Sequence, residues 1–362
     1  MEKIAYLGPP NDHWTSLQMV FQKANLPLVQ IFDSIAWPDA PPASTNKWAA
    51  RATRVWAQIF GTRNKRYLDY ALRRIDEGGI TCVLAFWGTR PLPDIQALKR
   101  KRPHVRFVLT VLCHPIGLTP AAVFLQNRIF NHAMQNLDGL IVSSSVMQRY
   151  FHTHVPGSRR VPTLLQPPCW AAPYVRTVPL EAADPRPNVI FLGRMDWRAG
   201  QSTDNVTGPL RGLMQNGIDV HYSRTPESQF EDEHARPFDA LAMRGLIDFA
   251  ARFDASLILY DLSSAPRTDR FEVTVPDRLI TSVAAGIPIA LPSEGYAGCK
   301  EYLQKYGAVL EFRSMEDLAN QLRDRTHMDE LRKLAAERCK LYRAEEHWPV
   351  LLHFLKGATG IA

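Results

Sequence analysis

Short, continuous apolar runs recur along the chain, separated by segments whose apolar positions follow the helical period. That alternation predicts parallel sheets covered by helices on both faces. In the first half, strands are expected over 4–8, 28–32, 80–86, 105–112 and 139–142. Helices are expected over 17–24, 48–60, 66–77, 93–101, 121–134 and 145–152. The stretch 161–188 contains Pro162, Pro167, Pro168, Pro173, Pro179, Pro185 and Pro187. Proline-rich chain continues neither a helix nor a ladder, so this stretch reads as a linker. The alternation then restarts, with strands over 189–193, 219–222, 256–260, 287–291 and 308–311. Its helices fall over 208–216, 238–253, 277–285, 299–306, 315–324 and 328–355, the last broken near Trp348-Pro349. The pattern predicts an α/β fold of two Rossmann-like doubly wound domains facing a cleft. The domains are placed at 1–165 and 188–345, joined by a linker at 166–187, with a C-terminal helix at 346–362 packing back on the first domain. Such sheets bind ligands beyond the carboxyl ends of their strands, and a nucleotide is the expected class.

Composition narrows the classes. A chain of 362 residues has room for two cores of ordinary size, since a domain takes roughly 150 residues. Apolar residues at 46% and charged residues at 22% exclude long disorder, collagen and coiled coil. No apolar run approaches the ~18–20 residues of a membrane span. Met1-Glu2-Lys3-Ile4 leads straight into a strand pattern without a signal-like apolar core, so a cytoplasmic location is expected. Cys82, Cys113, Cys169, Cys299 and Cys339 are scattered, which argues against a disulfide framework and a zinc site.

Charge divides the chain. Residues 1–185 carry 21 Lys/Arg against 11 Asp/Glu, and the remainder carries 22 against 25. The basic half suits an anionic acceptor, an anionic membrane surface or nucleic acid. Over 48–74, Trp48, Trp56, Tyr67 and Tyr70 alternate with Arg51, Arg54, Arg66, Arg73 and Arg74. This mixture reads either as peripheral contact with the cytoplasmic face of a membrane or as two amphipathic helices with a basic outer face. Lys99-Arg100-Lys101-Arg102-Pro103 reads as a solvated last helical turn. It lacks the aromatic interleaving of a nucleic-acid module, so nucleic acid is not the expected partner.

The second half carries the more specific signals. Asn188-Val-Ile-Phe-Leu-Gly-Arg194-Met-Asp-Trp-Arg198 is a buried strand turning into a Gly/Arg loop. Further on come the strand ending at Tyr260 and Arg270-Phe-Glu272-Val-Thr-Val-Pro276-Asp-Arg278-Leu-Ile-Thr281-Ser-Val-Ala284-Ala-Gly286-Ile-Pro288. In order and spacing this set resembles the nucleotide-binding domain of GT-B glycosyltransferases of the family 4 type over about residues 188–325. There a helix patterned Pro-x-Lys-x-x-Glu-x-x-Ala-x-Gly-x-Pro closes over the donor. Pro276, Ala284, Gly286 and Pro288 match, and Arg278 keeps the cation. The resemblance implies a nucleotide-sugar donor (UDP- or GDP-sugar), a retaining transfer and cations in place of a metal. The chain also lacks a D-x-D motif. A diphosphate leaving group needs cations and N–H donors, which Arg194, Arg198, Arg278 and the start of the helix at 277–285 supply.

The family's paired glutamates fall at Val273 and Thr281, with Glu272 one residue away. Thr281 offers a single hydroxyl where a carboxylate offers two acceptor oxygens. In the first half, His114 follows a strand end and reads as a sugar contact or base, or as a histidine satisfied by its loop. Asn11, His13 and Trp14 follow the first strand. There His13 suits an acceptor base and Trp14 a sugar platform, against the plainer reading of a polar loop over a partly buried Trp. Three functions follow. The first is transfer from a nucleotide sugar to a glycan, lipid-linked or small-molecule acceptor. The second, raised by the missing glutamates, is a non-catalytic GT-B-like binding or partner protein. The third is a nucleic-acid-binding or -modifying protein.

Overall fold

The computed structural model describes residues 3–40, 57, 61–62, 64–176, 186–195, 203–224, 230–264 and 267–357. By internal contacts the chain forms two units. The first comprises Met1–Gly117, Ala121–Pro167 and His347–Ala362, and the second comprises Leu118–Pro120 and Pro168–Glu346.

In the first unit, β1 (Ile4–Leu7), β2 (Leu28–Ile31), β3 (Cys82–Phe86), β4 (Arg106–Val111), β5 (Gly139–Val142) and β6 (Thr163–Leu165) form one sheet in the order β2-β1-β3-β4-β5-β6. Every pairing is parallel. The order reverses at β1/β3. The intervening helices are α1 (Asp12–Lys23), α2 (Lys65–Gly78), α3 (Leu92–Lys101), α4 (Pro120–Ala133) and α5 (Ser145–His154). Three of them begin at side chains suited to the role. Asn11 accepts from the Trp14 N–H at 3.0 Å, Asn64 from the Tyr67 N–H at 3.2 Å, and Ser144 from the Met147 N–H at 3.1 Å.

The second unit also holds six parallel strands: β7 (Asn188–Phe191), β8 (Asp219–Ser223), β9 (Ala235–Phe238), β10 (Ala255–Leu257), β11 (Ile289–Pro292) and β12 (Val309–Phe312). Their order is β12-β11-β10-β7-β8-β9, which reverses at β10/β7. Its helices are α6 (Thr207–Gln215), α7 (Met243–Ala250), α8 (Asp269–Val273), α9 (Asp277–Ala285), α10 (Ala297–Leu303), α11 (Met315–Arg323) and α12 (Arg325–Arg338). A final helix, α13 (Ala344–Leu355), starts in this unit, and its later turns belong to the first. There Leu351 and Leu355 join Ile4, Phe21 and Val108 in one core. Arg106 donates to the Leu355 and Phe354 carbonyls at 2.6 and 3.3 Å.

The amino ends of β7 and β10 are stapled. The Asn188 N–H donates to Asp254 and the Asp254 N–H donates to Asn188, both at 3.0 Å, while Arg325 binds the same carboxylate at 2.7 and 3.0 Å. Holding these ends fixes the register that brings the carboxyl ends of the two strands side by side.

The structure departs from the sequence reading in four places. Ala235–Phe238 is an edge strand, where a helix over 238–253 was expected to begin at its end. Thr163–Leu165 is a strand inside the proline-rich stretch, and Trp170 from that stretch is buried in the core of the second unit. The break in the terminal helical region falls at the 3-10 turn Cys339–Tyr342, whereas Pro349 lies within α13. Helix α8 was not foreseen. The expected helix over 48–60, apart from residue 57, and residues 177–185 of the expected linker lie outside the described residues.

Candidate functional site

Side chains from the β7 and β10 ends, α8, α9 and the turn after β11 converge at the second unit's β10/β7 reversal, where a doubly wound sheet places its ligand crevice. Helix α9 is anchored to the sheet by Ser282, whose Oγ lies 2.7 Å from Ser256 Oγ and donates to the Arg278 carbonyl at 2.6 Å. The helix ends at Gly286, whose φ of 69° is the left-handed conformation that glycine adopts without cost.

Arg278 lies in the first turn of α9. Its guanidinium carbon is 4.0 Å from the Tyr260 ring centroid and 5.4 Å from that of Phe191. One guanidinium nitrogen donates to the Leu259 carbonyl at 3.4 Å. A Cβ on Gly193 would stand 2.1 Å from Arg278 Nη1 and 2.3 Å from the Phe191 ring, so only glycine admits this approach. The cation is thus held on an aromatic face beside the ends of β7 and β10, a cation–π arrangement that fixes its direction. Pro276 precedes the helix and supplies no capping side chain, while Asp277 already places one negative charge in the first turn at the N-terminal dipole.

The aromatic face is itself braced. Tyr260 packs 4.5 Å from Phe271 and stacks 6.3 Å from Tyr296, whose hydroxyl accepts from the Tyr260 N–H at 3.0 Å. Burial raises the Tyr260 pKa and the Arg278 charge opposes that rise, so the phenol stays protonated at neutral pH. Tyr296 is buried with φ at 60°, a strained conformation for a bulky residue that the packing imposes. Glu272 Oε2 accepts from the Ala297 N–H at 3.3 Å, and a Cβ on Gly295 would be 3.0 Å from Oε1. The carboxylate thereby ties α8 to the turn before α10.

The other expected site residues are placed as follows. Arg194 is exposed just beyond β7, and Arg198 lies outside the described residues. Thr281 is 3% exposed on the inner face of α9. Its hydroxyl accepts from Trp170 Nε1 at 3.3 Å and sits 3.9 Å from Met243 sulfur. In the first unit, His114 is 1% exposed among Phe130, Tyr150 and Phe151, with Nε2 2.8 Å from Asn127 Oδ1. Burial lowers its pKa to about 4 against the raising effect of the Asn127 contact, so the imidazole is neutral. Asn11 is the cap of α1, and Trp14 is buried against Tyr6 at 5.1 Å between ring centroids. His13 is half-buried in the first turn of α1, 4.7 Å from the Phe86 ring. Tyr67 and Tyr70 pack around Trp37. Among the described residues, no group of three or more His, Cys, Asp or Glu side chains gathers for a metal.

The structure therefore brings together Arg278 and Glu272, and it adds Tyr260, Gly193 and Tyr296, which sequence reasoning did not single out. Tyr260 was legible as the last residue of its apolar strand, and Gly193 as the glycine of the Gly/Arg loop.

No protein-family model matches the chain, and no curated protein sequence does. Solved structures match over nearly its whole length. Sucrose-phosphate synthase from Thermosynechococcus elongatus aligns with a TM-score of 0.66 at 14% identity, covering 98% of each chain. An α,α-trehalose 6-phosphate synthase from Burkholderia multivorans aligns at 0.64 and 10%, covering 98% of this chain and 96% of that one. A glycosyltransferase from Rickettsia africae aligns at 0.63 and 9%, covering 98% of both. At these identities the likeness establishes the fold, which is GT-B.

Proposed function

We propose that the chain transfers a glycosyl group from a nucleotide sugar to a hydroxyl of a glycan, lipid-linked or small-molecule acceptor. The second unit takes the nucleoside diphosphate and the first unit takes the acceptor. The observation that carries this reading is Arg278, a cation fixed by Tyr260 and Gly193 at the β10/β7 reversal beside an uncapped helix start. During transfer the bond between the anomeric carbon and the diphosphate oxygen breaks, and the acceptor oxygen bonds to that carbon as its proton passes to the departing diphosphate. Charge grows on the departing diphosphate. A cation already held in place, with N–H groups behind it, stabilises that charge without reorganising. Arg194, exposed at the neighbouring strand end, adds a second positive charge. The family-4-type pattern adds net retention at the anomeric carbon to the proposal.

Other roles follow from the surroundings. Glu272 acts through the turn it ties down and is a positioning residue. Thr281 is assigned no donor contact, because its hydroxyl faces Trp170 and Met243 inside the unit. His114 is assigned no proton transfer, because it is buried and neutral. His13 remains the acceptor-side candidate on the strength of its partly open position.

The test is a melting series with UDP, GDP and ADP on the wild type and Arg278→Ala. A ligand that binds only the folded state at a hundred times its Kd stabilises it by about 2.7 kcal/mol. One nucleotide should raise the Tm of the wild type and leave Arg278→Ala unmoved. No rise at millimolar concentrations of any of the three removes the reading. The absence of carboxylates at positions 273 and 281 favours one second reading, a GT-B-like binding protein without turnover. Nucleotide binding with no donor consumed across an acceptor panel would select it.

A further inference from the structure

The outward face of α4 is built unlike a solvated helix face. Phe124 is 66% exposed and Leu125 is 39% exposed, one turn beyond the exposed Ala121. The same face continues through Arg128, Asn131 and His132. The Arg128 guanidinium lies 5.8 Å from the Phe124 ring. Neither α4 nor the segment 145–160 contains an acidic residue.

Hydrogen bonds tie further cationic elements to this face. Asn131 accepts from the Gly157 N–H at 2.8 Å, which places the Pro156–Arg160 turn, with exposed Arg159 and Arg160, beside it. His132 Nε2 is 3.3 Å from Gln96 Nε2 on α3. One turn further along α3, exposed Arg100 donates to the Gln96 carbonyl at 3.1 Å. The nearby acidic side chain Asp138 is occupied by Lys99 at 2.8 Å. The result is an apolar tip with a cationic flank drawn from three elements.

We propose that this face of α4 docks the protein on an anionic phospholipid surface. Phe124 and Leu125 enter the headgroup boundary, and Arg128, Arg159, Arg160 and Arg100 meet lipid phosphates. The charge of the flank selects an anionic surface, and the two large side chains at its tip supply the apolar contact that a purely electrostatic partner would leave in water. Among the described residues no helix is long and apolar enough to cross a membrane, so the contact is a peripheral one. This differs from the contact the sequence suggested over 48–74, where Tyr67 and Tyr70 pack inward. The proposal does not depend on the transfer reaction.

The experiment is co-sedimentation of the full chain with vesicles of phosphatidylcholine alone or mixed with phosphatidylglycerol, at low and high salt. The wild type should bind only the phosphatidylglycerol vesicles and leave them as salt rises. The double variant Phe124→Ser, Leu125→Ser should bind about tenfold more weakly or less. Because both side chains are exposed, its melting temperature and its nucleotide response should match the wild type, which separates lost docking from lost folding. Arg128→Glu should weaken binding in the same way. Failure to bind at low salt, or undiminished binding by the double variant, overturns the proposal. So does a wild-type dimer in solution that the double variant converts to a monomer, because a second copy would then own the face. Binding of a single-stranded RNA oligonucleotide that the double variant loses overturns it as well.

Discussion

Asp94 shows what a single buried carboxyl does to the first unit. It is fully buried at the start of α3, and one oxygen accepts from the Ser34 N–H at 2.9 Å. Its neighbour Asp33 is equally buried but has a cation, with Arg90 at 2.7 Å, and it accepts from the Ile35 and Ala36 N–H groups at 3.0 and 2.9 Å. The arginine thus serves Asp33, and Asp94 has no cation of its own among these contacts. Burial and the nearby Asp33 charge raise the Asp94 pKa to about 7, against the lowering effect of the Ser34 bonds. Because the folded state holds this proton more tightly than the unfolded chain does, its contribution to stability is complete below about pH 4 and is lost as pH rises to about 7. A tenfold difference in proton affinity between the two states is worth about 1.4 kcal/mol. Asp94→Asn should flatten the stability profile over that window and be the more stable protein at pH 8. Urea unfolding at pH 5 and pH 8 on both proteins measures this, and an unchanged slope in the variant would place the proton elsewhere.

At the scale of elements, the staple across Asn188, Asp254 and Arg325 governs the register at which β7 and β10 present their carboxyl ends. Asp254→Ala leaves the buried Asn188 N–H and the partly exposed Arg325 without their shared carboxylate and should cost about 1–3 kcal/mol in chemical denaturation. The elements are also where the sequence was most and least legible. Strands such as Cys82–Phe86, and Asn188–Phe191 after its first residue, are apolar on both faces, so their continuous runs announce them. The edge strand Ala235–Phe238 has one neighbour, mixed burial and Pro237, and so carries neither signal. The short strand Thr163–Leu165 was hidden by the prolines around it. Asn11 shows a different limit. A polar side chain just past a strand end reads as a ligand contact, yet the same position caps α1, and its side-chain Oδ1 is taken by the Trp14 N–H. The burial of Trp14 and Thr281 was hidden for a related reason, since one-dimensional spacing does not tell which face of a helix meets the core. The place of Arg278 was legible, because a cation two residues after a proline falls in the first turn of the helix that Gly286 ends.

Across the whole molecule, the chain does not finish the first unit before it builds the second. Leu351 and Leu355 arrive from α13 after all of the second unit's strands. They pack with Ile4, Phe21 and Val108, and Trp348 meets Phe21 edge-on at 4.5 Å. The first unit's core is therefore closed by the last described helix, whereas the β10/β7 crevice draws on none of these residues. Leu355 is fully buried, and truncation of such a leucine costs about 2–5 kcal/mol through lost burial and the cavity left behind. Leu355→Ala should therefore lower the stability of the first unit by that amount. On the proposed function, in which the nucleotide binds at Arg278, the added nucleotide should raise the melting temperature of the variant as much as that of the wild type. Denaturant unfolding with and without the nucleoside diphosphate separates the two effects. If the variant lost the nucleotide response while remaining folded, the donor crevice would depend on the first unit's core, and its assignment to the second unit alone would fail.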